Sequence, residues 1–161
     1  MDFSWNGAEH KNFATNVWII TIDGPHGKDV MAAEWTYLVS YSPATILVAV
    51  GPQKATAENI HATKKFGVSL AAEDQGWISS IAGGSSGKSV DKIGALKELG
   101  VKFKEGEKTG MLLVEGSALH AECELVQTVD AGNKHLFIGR VVSVHVHPAK
   151  AILYNQGMYW K

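Results

Sequence analysis

Apolar positions along this chain fall into short runs, separated by turn residues and differing in period. Residues 16–22, 28–37 and 44–50 are rich in Val, Ile, Thr and Trp, with Asp23-Gly-Pro-His-Gly27 and Ser42-Pro43 between them. β-Branched and aromatic side chains suit a pleated surface, so three antiparallel strands are predicted. At Thr56 the period changes. Ala57, Ile60 and Lys64 recur near helical spacing, Thr56 offers an N-cap hydroxyl and Gly67 a stop, which predicts a helix over 56–65. Residues 68–72 read as a short strand. Over 73–82, Trp77, Ile78 and Ile81 share a helical face behind initial acids, predicting a second helix. A weaker helical signal covers 95–99. Residues 111–114, 118–129 and 135–147 predict further strands, the last two joined by the hairpin loop Asp130-Ala-Gly-Asn-Lys134. About seven strands with two or three short helices predict a mainly β protein, a closed antiparallel barrel with helical decoration.

Composition narrows the partners. With 161 residues, 45% hydrophobic and 19% charged, the chain suits a single domain over 1–161 with an ample core. A net charge of −1 with mixed signs supplies neither the basic field of a nucleic-acid binder nor a polybasic membrane patch. Met-Asp-Phe-Ser-Trp-Asn lacks the basic start and apolar run of a leader, and no apolar stretch approaches the roughly 20 residues that span a bilayer. Cys123, alone, has no internal disulfide partner. The expectation is a cytoplasmic protein with no nucleic-acid or membrane partner.

The densest chemistry lies in Ala82-Gly-Gly-Ser-Ser-Gly-Lys-Ser-Val-Asp-Lys92, where glycines, hydroxyls and two lysines suit a phosphate. Gly87-Lys88-Ser89 imitates the end of a nucleotide-binding P-loop, with Ala82 where that motif begins with Gly. A P-loop runs from a buried strand into a helix, whereas here the preceding segment is helical and the setting antiparallel, which argues against a triphosphatase. His145-Val-His147 puts two imidazoles on one strand face without a third ligand nearby. His120 and Cys123, three apart in a strand, face opposite ways, so no metal site is expected.

Three stretches together, Ser86-Gly-Lys-Ser-Val-Asp-Lys92, 21–43 and 132–142, resemble the flavin reductase-like family of FMN-binding split-barrel flavoproteins. The order is reproduced across nearly the whole chain. Asp23-Gly24 matches the family's turn, Met31-Ala-Ala-Glu-Trp-Thr36 its segment of small residues along the flavin ring, and Ser40-Tyr-Ser-Pro43 its Ser-x-x-Pro. Phe66-Gly-Val-Ser69 matches its following strand, and Leu153-Tyr-Asn-Gln-Gly-Met-Tyr159 its closing aromatic segment.

The resemblance implies a split barrel of Greek-key type that binds FMN, takes hydride from NAD(P)H and passes electrons to free flavin, ferric iron or another acceptor. It also implies a homodimer and an electron-accepting partner such as a monooxygenase or redox protein. A flavoredoxin-type carrier or a flavin-binding module without NAD(P)H activity is the alternative. For the phosphate, Ser86, Gly87, Lys88, Ser89 and Lys92 are implied, with Gln53, Lys54 and Thr56 at the first helix, because charge-assisted bonds are the strong ones. For the ring, main-chain groups of Met31, Ala32, Ala33, Glu34, Trp35 and Thr36 are implied, with Trp35 either stacking or packing in the core. Val50 and Ser69 are assigned near the ribityl chain. One departure stands out. The family hairpin reads Gly-Asp-His-x-Leu-Phe-x-Gly, whereas Gly132-Asn-Lys-His-Leu-Phe-Ile-Gly139 puts Lys134 at the His position and His135 one residue later, on the opposite strand face. Either Lys134 replaces the imidazole as a cation, or a bulge restores His135.

Overall fold

The computed structural model describes residues 1–4 and 7–161; Trp5 and Asn6, within the N-terminal run read for a leader, lie outside the described residues. In chain order the elements are α1 (Ala8–Lys11), β1 (Thr15–Asn16), β2 (Trp18–Ile22), β3 (Asp29–Ala33), β4 (Thr36–Tyr41), β5 (Ala44–Val50), α2 (Ala55–Thr63) and β6 (Lys65–Leu70). Then follow α3 (Gly76–Gly83), α4 (Lys92–Glu98), β7 (Phe103–Glu105), β8 (Leu112–Val114), β9 (Leu119–Asp130), β10 (His135–Val146), β11 (Leu153–Asn155) and β12 (Met158–Trp160).

Seven strands form one antiparallel sheet in the order β3-β2-β6-β9-β10-β5-β4, curled into a half-barrel. The run 28–37, expected as one strand, divides at Glu34-Trp35 into β3 and β4. These successive strands lie at opposite edges of the sheet, so the two residues carry the chain across the gap between its edges. Local alternation cannot show such a break, since both halves keep strand character. β2 is buried along its whole length because both its faces are covered. Trp18, Ile20 and Ile22 join Val48, Phe66 and Phe137 in one core with Ala57 and Ile60 of α2. Ile19 joins Ile78 and Ala82 of α3, Ile93 and Leu96 of α4 and Val114 of β8 in a second.

Other boundaries moved for identifiable reasons. Lys54, not Thr56, caps α2, and Lys64 ends it in the left-handed region at φ 60°. Gly67 therefore does not stop the helix; it lies within β6, where a Cβ would strike the Thr21 hydroxyl of the neighbouring strand. α3 begins at Gly76, and Trp77 turns outward at 44% exposure while Ile78 packs inward. The Asp91 carboxylate caps α4 by accepting from the Gly94 N–H at 2.8 Å, so the helix starts before the weak signal at 95–99. Three short strands, β7, β11 and β12, went unread because three residues show no period. Buried Glu122 accepts from the N–H groups of Lys108 and Thr109 and from the Thr109 hydroxyl, and so ties the β7–β8 loop to β9.

Candidate functional site

A cavity of about 480 Å³ opens where the gap between β3 and β4 meets the end of α3. Its floor is β3 and the crossing that follows: Met31, Ala32, Ala33, Glu34 and Trp35 all line it, and the small Ala side chains leave room for a flat group against the backbone. One wall is the end of β5 with the start of α2, through Ala49, Val50, Gly51, Lys54, Ala55 and Thr56. The facing wall is the end of α3 and the glycine loop, from Ser79 through Ala82 and Gly83 to Gly87. Lys134 of the β9–β10 hairpin and Tyr154 and Tyr159 of β11 and β12 complete the rim.

At the hairpin the structure puts the side chains of Lys134 and His135 on opposite sides. Lys134 enters the cavity with its ammonium 5.1 Å from the centre of the Trp35 ring, a cation–π arrangement. His135 points to the other face, where its Nδ1 lies 3.4 Å from His61 Nε2 of α2 and its ring sits edge-on to the His61 and Phe137 rings. Burial pushes the Lys134 ammonium below its ordinary range, the nearby charge of Lys54 adds to this, and Glu34 opposes it. Trp35 also meets the His10 ring edge-on at 6.1 Å, and His10 lies 3.3 Å from the Glu34 carboxylate. Burial raises the Tyr154 hydroxyl, with Glu34 and Tyr159 acting in the same direction.

The glycine loop is held from beneath and from the side. Lys92 and Asp29, each 3% exposed, form an ion pair at 3.1 Å, and the same ammonium donates to the Ala82 carbonyl at 3.1 Å. Gly87 packs directly on the Asp29 carboxylate, so any Cβ at 87 would collide with it. Lys88 does not line the cavity. Its ammonium is bonded to Glu58 of α2, whose other oxygen is engaged by His26 of the β2–β3 turn. Lys88 first, then His26, hold the Glu58 carboxyl below its ordinary range.

Several expected site residues are therefore placed elsewhere. Lys88 turns sideways to Glu58, and the exposed Ser89 hydroxyl folds back to the Ser86 carbonyl at 3.3 Å. Gln53 stands exposed on the turn before α2. Thr36 is buried beneath the wall, donating to the Ala33 carbonyl at 3.4 Å. Ser69 is fully buried and accepts from the Val114 N–H at 3.0 Å. His135 belongs with His61. Ser86, Gly87, Lys92, Val50, Lys54, Thr56 and Lys134 do line the cavity, as do 31–35. Asp29, Ser79, Ser85, Tyr154 and Tyr159 also line it and were not foreseen, though the aromatic spacing of the closing segment marked the two tyrosines. Tyr159 reaches Ser80 at 3.0 Å.

Away from the cavity, His120 is the cross-strand partner of His145, and its ring lies 5.4 Å from that of His145 and 4.8 Å from that of His147. The third imidazole that the sequence did not show is thus adjacent. Among the described residues, no group of three or more His, Cys, Asp or Glu side chains is disposed to hold a metal ion. Cys123 is buried, and burial, with Glu122 next, pushes its thiol up to about 12. Among the described residues no helix is long and apolar enough to cross a membrane.

Residues 10–161 match the family described as "Flavin reductase like domain". The chain is 27% identical over 150 residues to an NADH-dependent FAD reductase of Streptomyces globisporus, covering 92% of this chain and 79% of that protein. Among solved structures, the flavin reductase component of a bacterial two-component tryptophan halogenase superposes with a TM-score of 0.82 at 28% identity, covering 93% of this chain and 91% of that one. The NADH:FAD oxidoreductase of Streptomyces globisporus C-1027, solved with NAD and FAD fragments, gives a TM-score of 0.84 at 25% identity, covering 94% and 87%.

Proposed function

The chain belongs to the flavin reductase-like domain family, and from that membership we infer that the cavity is where it catalyses NAD(P)H-dependent reduction of a flavin. The observation that carries this reading is the cavity's mixed lining. The small side chains of β3, the Lys134 ammonium, and the hydroxyls and backbone of Ser85, Ser86 and Gly87 all border it. A flavin with a ribityl phosphate tail, FMN in our reading, presents a flat ring, a polyol and an anion to such a lining. The buried Trp18 Nε1, which borders the cavity without a hydrogen-bond partner, supports a polar ligand there. An unmet buried donor costs about 1–3 kcal/mol.

The flavin supplies the hydride chemistry, so the protein's task is to bind, orient and tune. Ala32 and Ala33 let the ring approach the backbone of β3. Lys134, over Trp35 in the cavity lining, would hold its ammonium beside the bound ring and so favour the negative charge that a flavin gains on reduction. Trp35 holds that ammonium in place, and Tyr154 and Tyr159 narrow the cavity and limit water. The hydride chemistry would require no acid–base pair from the protein.

The family resemblance supports a split-barrel homodimer with the flavin near the subunit contact. The halogenase component supports a monooxygenase-like partner that consumes the reduced flavin. We place the enzyme in the cytoplasm and treat 1–161 as one domain. Anaerobic mixing with FMN and then NADH or NADPH tests the central claim. Bleaching near 450 nm by either nicotinamide is expected, and a flavin that stays oxidised with both refutes the reductase reading in favour of a flavoredoxin-type carrier.

A further inference from the structure

Away from the cavity lining, imidazoles meet in two places among the described residues. In one, His120 is buried beside His145 and His147, and its Nδ1 has no hydrogen-bond partner. The other is a pair, and its nitrogens face each other: His61 Nε2 of α2 lies 3.4 Å from His135 Nδ1 of β10. Protein hydrogen bonds mostly lie at about 2.5–3.2 Å, so this contact is long for one. It matches a different bond. A metal ion about 2.0–2.1 Å from each of two imidazole nitrogens, at a tetrahedral angle, holds those nitrogens about 3.3–3.4 Å apart. Both rings are braced by the fully buried Phe137, whose ring centre lies 4.9 Å from that of His61 and 6.1 Å from that of His135, edge-on in each case. His61 is exposed and His135 half-buried, which leaves the remaining coordination positions to water.

We propose that His61 and His135 form a site for one divalent transition-metal ion of the class that prefers imidazole, with Zn²⁺ as its representative. The proposal is independent of what the cavity binds. Neutral imidazole suits zinc, copper and nickel, whereas Mg²⁺ and Ca²⁺ take oxygen ligands that the pair does not offer. Asp130 is the cross-strand partner of His135 and shares its face of the sheet, so its carboxylate draws a cation toward the pair. Lys64, whose charge is felt at His61, opposes that attraction. The position also has a mechanical consequence. α2 starts on the cavity wall with Ala55 and Thr56, and Lys134, the neighbour of His135, lines the cavity from the hairpin. An ion held between His61 and His135 ties these two walls together without entering the cavity.

The test is calorimetric titration of Zn²⁺ into the full chain, stripped of metal with EDTA, at pH 7.5, with Mg²⁺ as the control ion. One equivalent of Zn²⁺ should bind and Mg²⁺ should not, and the melting temperature should rise with Zn²⁺ and fall back when EDTA is added. His61→Phe and His135→Phe should each weaken Zn²⁺ by more than about tenfold, since even a residue behind a ligand contributes about 10–100-fold to metal affinity. His61→Gln takes the place of the Phe variant if that one melts early without metal. His145→Phe, in the other cluster, should leave the affinity within about twofold, as a distant site implies. With Cu²⁺ as the probe, electron paramagnetic resonance should show two coupled nitrogens in the wild type and one in either variant. The proposal is overturned if Zn²⁺ shows no saturable binding below about 1 mM, if binding survives both substitutions, or if His145→Phe abolishes it, which would assign the ion to the other cluster.

Discussion

The glycine loop and the β9–β10 hairpin both bring lysine to the cavity, and they invert what their sequences suggest. The loop has the family's Ser-Gly-Lys-x-x-Asp-Lys run complete, yet Lys88 leaves the cavity for Glu58 and Lys92 is spent on Asp29. The hairpin departs from its family pattern, yet Lys134 points inward over Trp35. A complete motif here reports how a loop is folded, through the Asp91 cap, Gly87 on Asp29 and the Lys92 anchor. The substituted motif reports a changed side chain in the cavity lining. Motif matching ranks these two regions in the wrong order for charge, because it scores residue types and not their partners.

The largest effect should come from breaking the loop's anchor. Asp29→Ala leaves the Lys92 ammonium buried and unpaired, and should lower unfolding free energy by about 3–5 kcal/mol in urea titration. A loss under 1 kcal/mol would show the pair to be dispensable. Next is Gly87→Ala, whose methyl collides with the Asp29 carboxylate; about 1–3 kcal/mol of stability and a weaker flavin complex are expected. Wild-type stability would mean the loop moves freely off Asp29.

On the hairpin side, Lys134→Met should leave the fold intact and reduce kcat/KM for flavin reduction about tenfold, or about 1.4 kcal/mol. Because its ammonium is held below the ordinary lysine range, the proton is lost at lower pH than from a free lysine. Activity should therefore fall on the alkaline side earlier than lysine alone predicts. An unchanged rate and alkaline limb in the Met variant would remove Lys134 from beside the bound ring.

The hairpin's outer face should answer to acid. His61 is held below its ordinary value of about 6.5 by burial first, then by His135 and Lys64. A depressed imidazole is neutral in the fold and takes up protons more readily when unfolded. Stability is thus full above about pH 6.5 and declines as pH falls below it. His61→Phe should flatten that decline in thermal melts at pH 7 and pH 5.5. The smallest effect belongs to Lys88→Met, where melting temperature should hardly move, since the Glu58 pair is solvent-exposed. A large loss of stability there would erase the contrast between the loop's two lysines.

Much of the scaffold was legible in the chain. Richness in β-branched residues predicted β5, apolar runs predicted β9 and β10 with partial alternation in β10, the 3.6-residue period predicted α2 and α3, and Gly132 with Asn133 predicted the hairpin. Each depends on neighbours within a few residues. What failed was non-local: the break at Glu34-Trp35, Gly67 inside a strand, and Trp77 facing outward follow from which distant element lies alongside. Around the cavity, Ala32, Ala33, Trp35, Val50, Thr56 and Lys134 were implied by the family resemblance, and the fold brings all six into its lining. Thr36 and Ser69 were lost to buried hydrogen bonds with the Ala33 carbonyl and the Val114 N–H.

The sequence by itself determined the elements, the family and the segments that surround the cavity, because short-range period and turn chemistry act within single stretches of chain. Only the tertiary structure decided which ammonium faces the cavity without a carboxylate and which is paired with one. Lys88 finds Glu58 thirty positions away, and Lys92 finds Asp29 across the α4–β3 packing. Charge pairing is set by distance in space, and that distance does not exist until the sheet has curled and α4 has closed over β3.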